Sequence, residues 1–443
     1  MDKIGFISLG CSKNLIDTEV MLGILKDRHM EITKDLSEAD VIIVNTCTFI
    51  EAAKEESIQT ILQAAQYKQE GCCRFLIVTG CLSQQYQEQL LQDMPEIDAL
   101  LGTGSWDRIG EALDLAKKGK KACFMDNVSH LYNHTMNRVR TTPAYSAYVK
   151  IAEGCNNGCT FCIIPHVRGT LCSRPIESVV AEVEQLSRDG VKEINLIAQD
   201  TTSYGVDLAD RSLLADLLRR LVGIAGIRWI RLFYLYPHYF DDELMDLIVQ
   251  EDKICPYVDL PLQHISPTVL RRMNRRDTKE DIQVLMDKLC AHGRKLTLRS
   301  TFIVGFPGET DEEFAELCDF VKQVQFDNVG VFTYSQEEGT PAARMTDQIP
   351  DAVKDERYHQ LMSIQAKVSE QRNQELEGSV HTFLVEQVYE QDGQLQAEGR
   401  LEIQAPDVDG TTYVENAAGL QPGDMVQVRI SQGFAYDLVA EVI

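Results

Sequence analysis

Three cysteines fall within eight residues at Cys155-Asn-Asn-Gly-Cys159-Thr-Phe-Cys162. Spaced this closely, they can reach one metal centre from a single loop. Thiolates are the usual protein ligands of iron–sulfur clusters and of structural zinc. Structural zinc needs a fourth ligand, for which His166 is available. A cluster held by three cysteines instead leaves one iron open to a small molecule, which turns a structural motif into a catalytic one.

A second set is Cys11, Cys47 and Cys81, separated by 36 and 34 residues. Each follows a short apolar run, at residues 4–9, 41–44 and 75–78. One such cysteine would read as a small buried residue at a strand end. Three at equivalent positions read as ligands, again three to a centre. Cys72, Cys73, Cys123, Cys172, Cys255, Cys290 and Cys318 lack paired spacing and read as bystander thiols. Weaker candidates lie further on. Gly305-Phe-Pro-Gly308-Glu309 is either a plain turn or a place where backbone approaches a ligand closely. Gln199-Asp200 and Gln263-His264 follow apolar runs in a similar way. Arg271, Arg272, Arg275 and Arg276 crowd one segment, as a solvated helix face, a phosphate contact or a carboxylate contact would.

The elements that must position these residues follow from hydrophobic pattern. Helical periods at about 15–25, 51–67 and 84–91 follow the three amino-terminal runs, so residues 2–118 read as a parallel α/β sheet. Ligands bind beyond the carboxyl ends of such strands, where all three cysteines stand. Residues 119–143 read as a linker, with Arg138 and Arg140 but no acidic residue from 133 to 143. Six further strands are expected near 147–151, 193–198, 229–234, 257–260, 297–304 and 329–333. A closed (β/α) barrel has eight, so residues 144–371 are expected to form a six-stranded partial barrel. A polar helix is expected over about 365–376. Residues 374–443 alternate short β-prone stretches with turns, the pattern of a small β-barrel.

Charge narrows the partners. The 443 residues carry 43 Lys+Arg against 68 Asp+Glu, a formal net charge of −25. Hydrophobic residues at 44 % and charged residues at 25 % exclude a disordered, collagen-like or fibrous chain. From residue 376 onward twelve acidic residues face two basic ones, Arg400 and Arg429. Such a surface repels phosphate and attracts a basic polypeptide, so direct nucleic-acid binding is not expected. No apolar run approaches the roughly 20 residues of a membrane span, and the amino terminus lacks a signal-peptide layout. A cytosolic protein is expected, and disulfides then do not explain thirteen cysteines.

The Cys155–Cys162 loop after the first strand of a six-stranded partial barrel resembles the radical S-adenosylmethionine superfamily. Phe161 matches the aromatic that precedes the last ligand in that family and lies near the adenine. Gly305 and Gly308 stand where the superfamily contacts S-adenosylmethionine. Two cysteine triads and a terminal β-barrel together resemble the methylthiotransferases, whose terminal domain is the TRAM domain. That resemblance implies two [4Fe-4S] clusters, S-adenosylmethionine and a low-potential electron donor. One S-adenosylmethionine yields a substrate radical, another supplies a methyl group to sulfur, and methylthio is placed on an unactivated C–H carbon. No acid–base residue is implied, since hydrogen abstraction by a carbon radical needs none.

The family divides into enzymes acting on an adenosine of transfer RNA and a branch acting on ribosomal protein S12. Gly10-Cys11-Ser-Lys-Asn-Leu-Ile-Asp-Thr-Glu19 resembles the ribosomal-protein branch rather than the Cys-x-Met-Asn form of the other, although Ser12 stands where that branch often has proline. Tyr236–Phe240 and Ala405–Gly410 are similar to it as well. With the acidic terminal domain, this points to an S12 aspartate and a 3-methylthioaspartate product, with transfer RNA as the alternative. A non-catalytic iron–sulfur carrier would explain six cysteines but neither a barrel nor two centres lacking a fourth ligand.

Overall fold

The computed structural model describes residues 2–126, 128, 130–292, 296–391 and 393–443; Asp392, one of the twelve terminal acidic residues, lies outside them. The first six strands are β1 (Lys3–Ser8), β2 (Glu31–Thr33), β3 (Val41–Thr46), β4 (Phe75–Gly80), β5 (Ala99–Leu101) and β6 (Ala122–Phe124). They form one parallel sheet in the order β2-β1-β3-β4-β5-β6. The three long strands are those that the apolar runs predict. β2, β5 and β6 are three residues each, too short to register as runs.

Helix α1 (Ser12–Asp27) begins three residues earlier than its apolar pattern because Cys11 caps it in extended conformation. It is buried on every side, polar residues included, because it is sandwiched between the sheet and the next domain. Helices α2 (Glu51–Glu70) and α3 (Cys81–Asp93) follow β3 and β4. The stretch expected to be a linker is a packed strap. Arg138 pairs with Glu19 of α1 at 2.6 Å and with Glu182 at 2.8 Å. Gly23 is required beneath it, since a Cβ there would lie 2.0 Å from the Asn137 carbonyl oxygen.

The central domain opens with β7 (Ser146–Lys150), then a two-residue antiparallel pair, β8 (Ala152–Glu153) and β9 (Cys172–Ser173). The barrel continues through β10 (Glu193–Ile197), β11 (Trp229–Leu232), β12 (Tyr257–Gln263), β13 (Thr297–Val304) and β14 (Asn328–Thr333). All ladders are parallel, in two halves, β11-β10-β7 and β12-β13-β14. The halves meet at a seam where the Leu235 N–H bonds the Asp259 carbonyl at 2.9 Å. Six strands form the expected partial barrel. The polar helix is longer than predicted, Asp351–Gln374, because half of it lies along β14 before it leaves.

Five terminal strands close a barrel in the order β15-β16-β17-β19-β18: β15 (Val380–Gln391), β16 (Gln394–Leu401), β17 (Thr412–Glu415), β18 (Met425–Gly433) and β19 (Leu438–Val442). The joint with the central domain is ionic and buried. Arg400 reaches Glu193, the first residue of β10, at 2.7 and 3.0 Å, with Arg231 at 3.4 Å on the other side. The Tyr148 hydroxyl donates to Asp407 at 2.8 Å, and Arg299 lies 3.7 Å from Asp409. One apolar cluster joins all three domains through Ile4, Tyr148, Trp229, Leu384 and Ala405.

Burial pushes the Glu193 carboxyl up, but the Arg400 charge and the hydrogen bonds it makes outweigh this and hold it at about 2. A carboxyl held below its ordinary 4.5 stabilises the fold above that pH and ceases to as pH falls towards 2. Acid unfolding followed by fluorescence should therefore show a component between these values that Glu193→Gln flattens. Arg400→Leu strands a buried carboxylate and should cost about 3–5 kcal/mol in a denaturant titration at neutral pH.

Candidate functional site

Cys11 precedes α1, Cys47 follows β3 directly, and Cys81 is the first residue of α3. Because β1, β3 and β4 are neighbours, the three thiols stand side by side at the carboxyl edge of the sheet. Gly10, at φ +83°, lets the loops approach; a Cβ there would lie 2.9 Å from the Cys47 sulfur. Burial pushes the Cys81 thiol up to about 12, with Arg168 opposing and the neighbouring Cys47 and Cys11 adding to it. Cys47 is raised by burial too.

The second triad sits on a loop whose base is the β8–β9 pair. Gly154, at φ +76°, has room for no side chain, since a Cβ would meet the Thr170 carbonyl oxygen at 2.2 Å. The Cys155 N–H closes the loop onto the Gly169 carbonyl at 3.1 Å. Asp200 accepts from Asn157 at 2.7 Å, and Asn274 donates to the Gly158 carbonyl at 2.9 Å. Burial pushes Cys155 up to about 11 and Cys162 to about 12. Three of the four clustered arginines turn towards this loop and its surroundings. Arg275 lies 3.8 Å from the Cys159 sulfur and donates to Pro261, Arg276 donates to the Asn156 carbonyl, and Arg272 donates to the carbonyls of Pro307 and Gly308. Arg271 and Arg276 are exposed, whereas Arg272 and Arg275 are half-buried.

Phe161 is half-buried, edge-on to Phe306 at 6.5 Å, in a small cluster with Met273 and Tyr334. Gly305 and Gly308 have φ of +70° and +75°, and a Cβ on either would collide with Lys354 or Arg272. Between them the turn is rigid: buried Glu309 accepts from the Gly305 N–H, from Arg357 at 3.0 Å and contacts His264 at 3.2 Å. His264 is thereby a structural residue. Gln199 donates to Glu153 instead of standing free.

Sequence reasoning missed the residues that join the two triads. Lys150, at the end of β7, bonds Asp17 of α1 at 2.5 Å and Glu153 at 2.7 Å. Arg168, on the loop of the second triad, bonds Asp17 at 2.7 Å, Glu153 at 3.1 Å and Asn14, which neighbours the first. Burial opposes ionisation of Glu153, but Arg168 and Lys150 hold it well below the usual carboxylate range. The available signal was a lysine ending an apolar strand and two carboxylates in an apolar helix, since buried charges come in pairs. Lys13 also lies in this region, its ammonium 3.2 Å from the centroid of the Tyr234 ring and pushed down to about 8 by burial.

Among the described residues, no three His, Cys, Asp or Glu side chains are drawn together as one mononuclear ion requires, and His166 is exposed. The donor sets do fit cluster ligation. Each offers three thiols, and buried thiols lose their protons when metal binds. Each has a cation at hand, Arg168 for the first and Arg275 for the second, to offset a negatively charged thiolate cluster.

Residues 3–102 match the model of uncharacterized protein family UPF0004, residues 149–321 that of the radical SAM superfamily and residues 378–443 that of the TRAM domain. The chain is 51 % identical over 442 residues to ribosomal protein uS12 methylthiotransferase RimO of Syntrophotalea carbinolica, covering 100 % of this chain and 97 % of the relative. It is 48 % identical to the protein of the same name from Geobacter sulfurreducens, covering 100 % and 99 %. The fold is shared with the radical S-adenosylmethionine methyltransferase TsrM of Kitasatospora setae, at a TM-score of 0.57 and 14 % identity over 84 % of this chain and 90 % of the other. At half-identity along its whole length, the chain belongs to the ribosomal protein uS12 methylthiotransferase family of the radical SAM superfamily.

Proposed function

We propose that this protein replaces a C–H hydrogen on an aspartate of ribosomal protein S12 by methylthio, giving 3-methylthioaspartate. The observation that carries this reading is a pair of cysteine triads joined by one buried ion network, in a chain half-identical to uS12 methylthiotransferases throughout. The cofactors are S-adenosylmethionine and [4Fe-4S] clusters. Cys11, Cys47 and Cys81 hold one cluster; Cys155, Cys159 and Cys162 hold the other, with Phe161, Gly305 and Gly308 against S-adenosylmethionine. When bound, these groups supply the radical, the methyl group and a thiophilic metal surface.

The chain's own residues supply position and charge. Arg168 and Lys150 fix the first triad against the second. The terminal barrel presents its acidic surface to a basic protein. Arg400 is engaged inside the joint, so among the described residues of the barrel Arg429 is the exposed base, against exposed Glu377, Glu390, Asp407, Glu415 and Glu441. Transfer RNA is the disfavoured substrate for the same reason. A low-potential donor reduces the enzyme. No helix among the described residues is long and apolar enough to cross a membrane, and a ribosomal substrate places the work in the cytoplasm.

Anaerobically reconstituted enzyme with S-adenosylmethionine, reductant and sulfide should add about 46 Da to an S12 aspartate, the mass of CH₂S, and nothing to transfer RNA. Modification of transfer RNA alone would overturn the reading. Cys155→Ala should lower both 5′-deoxyadenosine and methylthio product by more than about 100-fold. Cys47→Ala should retain 5′-deoxyadenosine formation while losing the methylthio product, measured by chromatography of the same reactions.

A further inference from the structure

Helix α2 starts at Glu51, and its N-cap, Ile50, has no side chain able to accept from the first turn. The barrel supplies the missing acceptor. The Glu51 N–H donates to the Ser335 hydroxyl at 3.2 Å, and Ser335 donates to Glu337 at 2.5 Å. One turn along α2, Lys54 pairs with Glu337 at 3.0 Å and with Glu51 of its own helix at 2.5 Å. The Lys54 and Glu337 side chains are 8 % and 3 % exposed, so the pair is held out of water across a domain boundary. Burial opposes the Lys54 charge, but Glu51 and Glu337 outweigh it and hold the ammonium above the ordinary lysine range.

Each end of the pair leads to a cysteine triad. On the α2 side, one turn beyond Lys54, the Ser57 hydroxyl accepts from the Cys47 N–H at 3.0 Å. Thr48 bonds Gln85, one turn beyond Cys81 in α3. On the barrel side, the Thr340 N–H and hydroxyl both donate to the Glu337 carbonyl. The Ala342 N–H then donates at 2.9 Å to the carbonyl of Thr160, which lies within the second triad.

Among the described residues, ion pairs join the amino-terminal domain to the barrel at two places only, Asp17 and Lys54. They stand at opposite edges. Asp17 binds Lys150 at the end of β7, and Lys54 binds the loop that follows β14; these are the two edge strands of the open barrel. A tie at one edge alone would let the amino-terminal domain pivot about α1. A second tie at the other edge removes the pivot.

We infer that Lys54 and Glu337 are positioning residues: by clasping α2 to the loop after β14, they hold the Cys47 and Cys81 side of the first triad over the second. This rests on the two-cluster reading above and deepens it. Opening the clasp should leave 5′-deoxyadenosine formation intact and lower the yield of methylthio product drawn from it.

The test uses reconstituted holoenzyme with the S12 peptide and compares Lys54→Met, Glu337→Gln, Lys54→Arg and Glu51→Gln. In the first two, the ratio of 5′-deoxyadenosine to methylthio peptide should rise about tenfold or more, since a small misplacement of reacting groups can cost about 100-fold. Lys54→Arg keeps the charge and should return the ratio towards the wild-type value. Glu51→Gln removes only the partner on the same helix and should leave the ratio unchanged. Hydrogen exchange read by mass spectrometry, with reductant withheld, is independent of turnover. Lys54→Met and Glu337→Gln should exchange faster in residues 48–57 and 335–342 together, with the segments around Asp17 and Glu153 unchanged. An unaltered product ratio in both variants overturns the inference, as does faster exchange on one side of the boundary alone. Loss of iron that accounts for the altered ratio also overturns it. If Lys54→Met unfolds and exchanges throughout, Glu337→Gln, which leaves Lys54 its Glu51 partner, decides. The underlying reading fails differently: wild-type enzyme would yield no methylthio peptide, while the exchange pattern of the clasp stayed as expected.

Discussion

Four charges sit out of water between the two halves of this molecule: Asp17 and Glu153, Lys150 and Arg168. They balance, and each carboxylate touches both cations. Removing one member would strand the others, so the quartet acts as a unit, not as four independent ion pairs. Both cysteine triads hang on it. Asp17 is on the helix that Cys11 caps, Glu153 lies two residues before Cys155, and Arg168 closes the loop that carries Cys155, Cys159 and Cys162. A substrate radical formed beside one triad would have to meet sulfur held at the other, which would tolerate little error in their separation. Here that separation is set by short, buried, charge-assisted bonds instead of by a linker.

The strap serves the same end from outside. It crosses α1 at Gly23, where nothing larger than hydrogen fits, and ties Glu19 to Glu182 through Arg138. A stretch with no acidic residues and two arginines resembles a flexible connector in composition. Its arginine instead finds its partners in two different domains, which no local pattern reveals.

Legibility in the sequence followed the range of the interaction. The six barrel strands and three of the amino-terminal strands announced themselves because each is an apolar run. β2, β5 and β6 did not, because three residues carry no period. Both cysteine triads could be grouped from spacing, since parallel neighbours put equivalent positions side by side. The role of the arginines near residue 272 stayed open because helical surface and loop-facing surface read alike until the loops are placed.

The terminal barrel looks like an appended module, with its own closed sheet and its own core of Phe383, Val385, Val428 and Leu438. Yet its sixth neighbour is the central domain's floor. Arg400 is the counterion of Glu193, and Asp407 and Asp409 meet Tyr148 and Arg299. The unit that can be exchanged between relatives is therefore larger than the barrel. A graft that carries residues 374–443 alone works only where the recipient already has the acid of β10 and the phenol of β7. Charge pairs across the joint make the domain heritable only together with its socket.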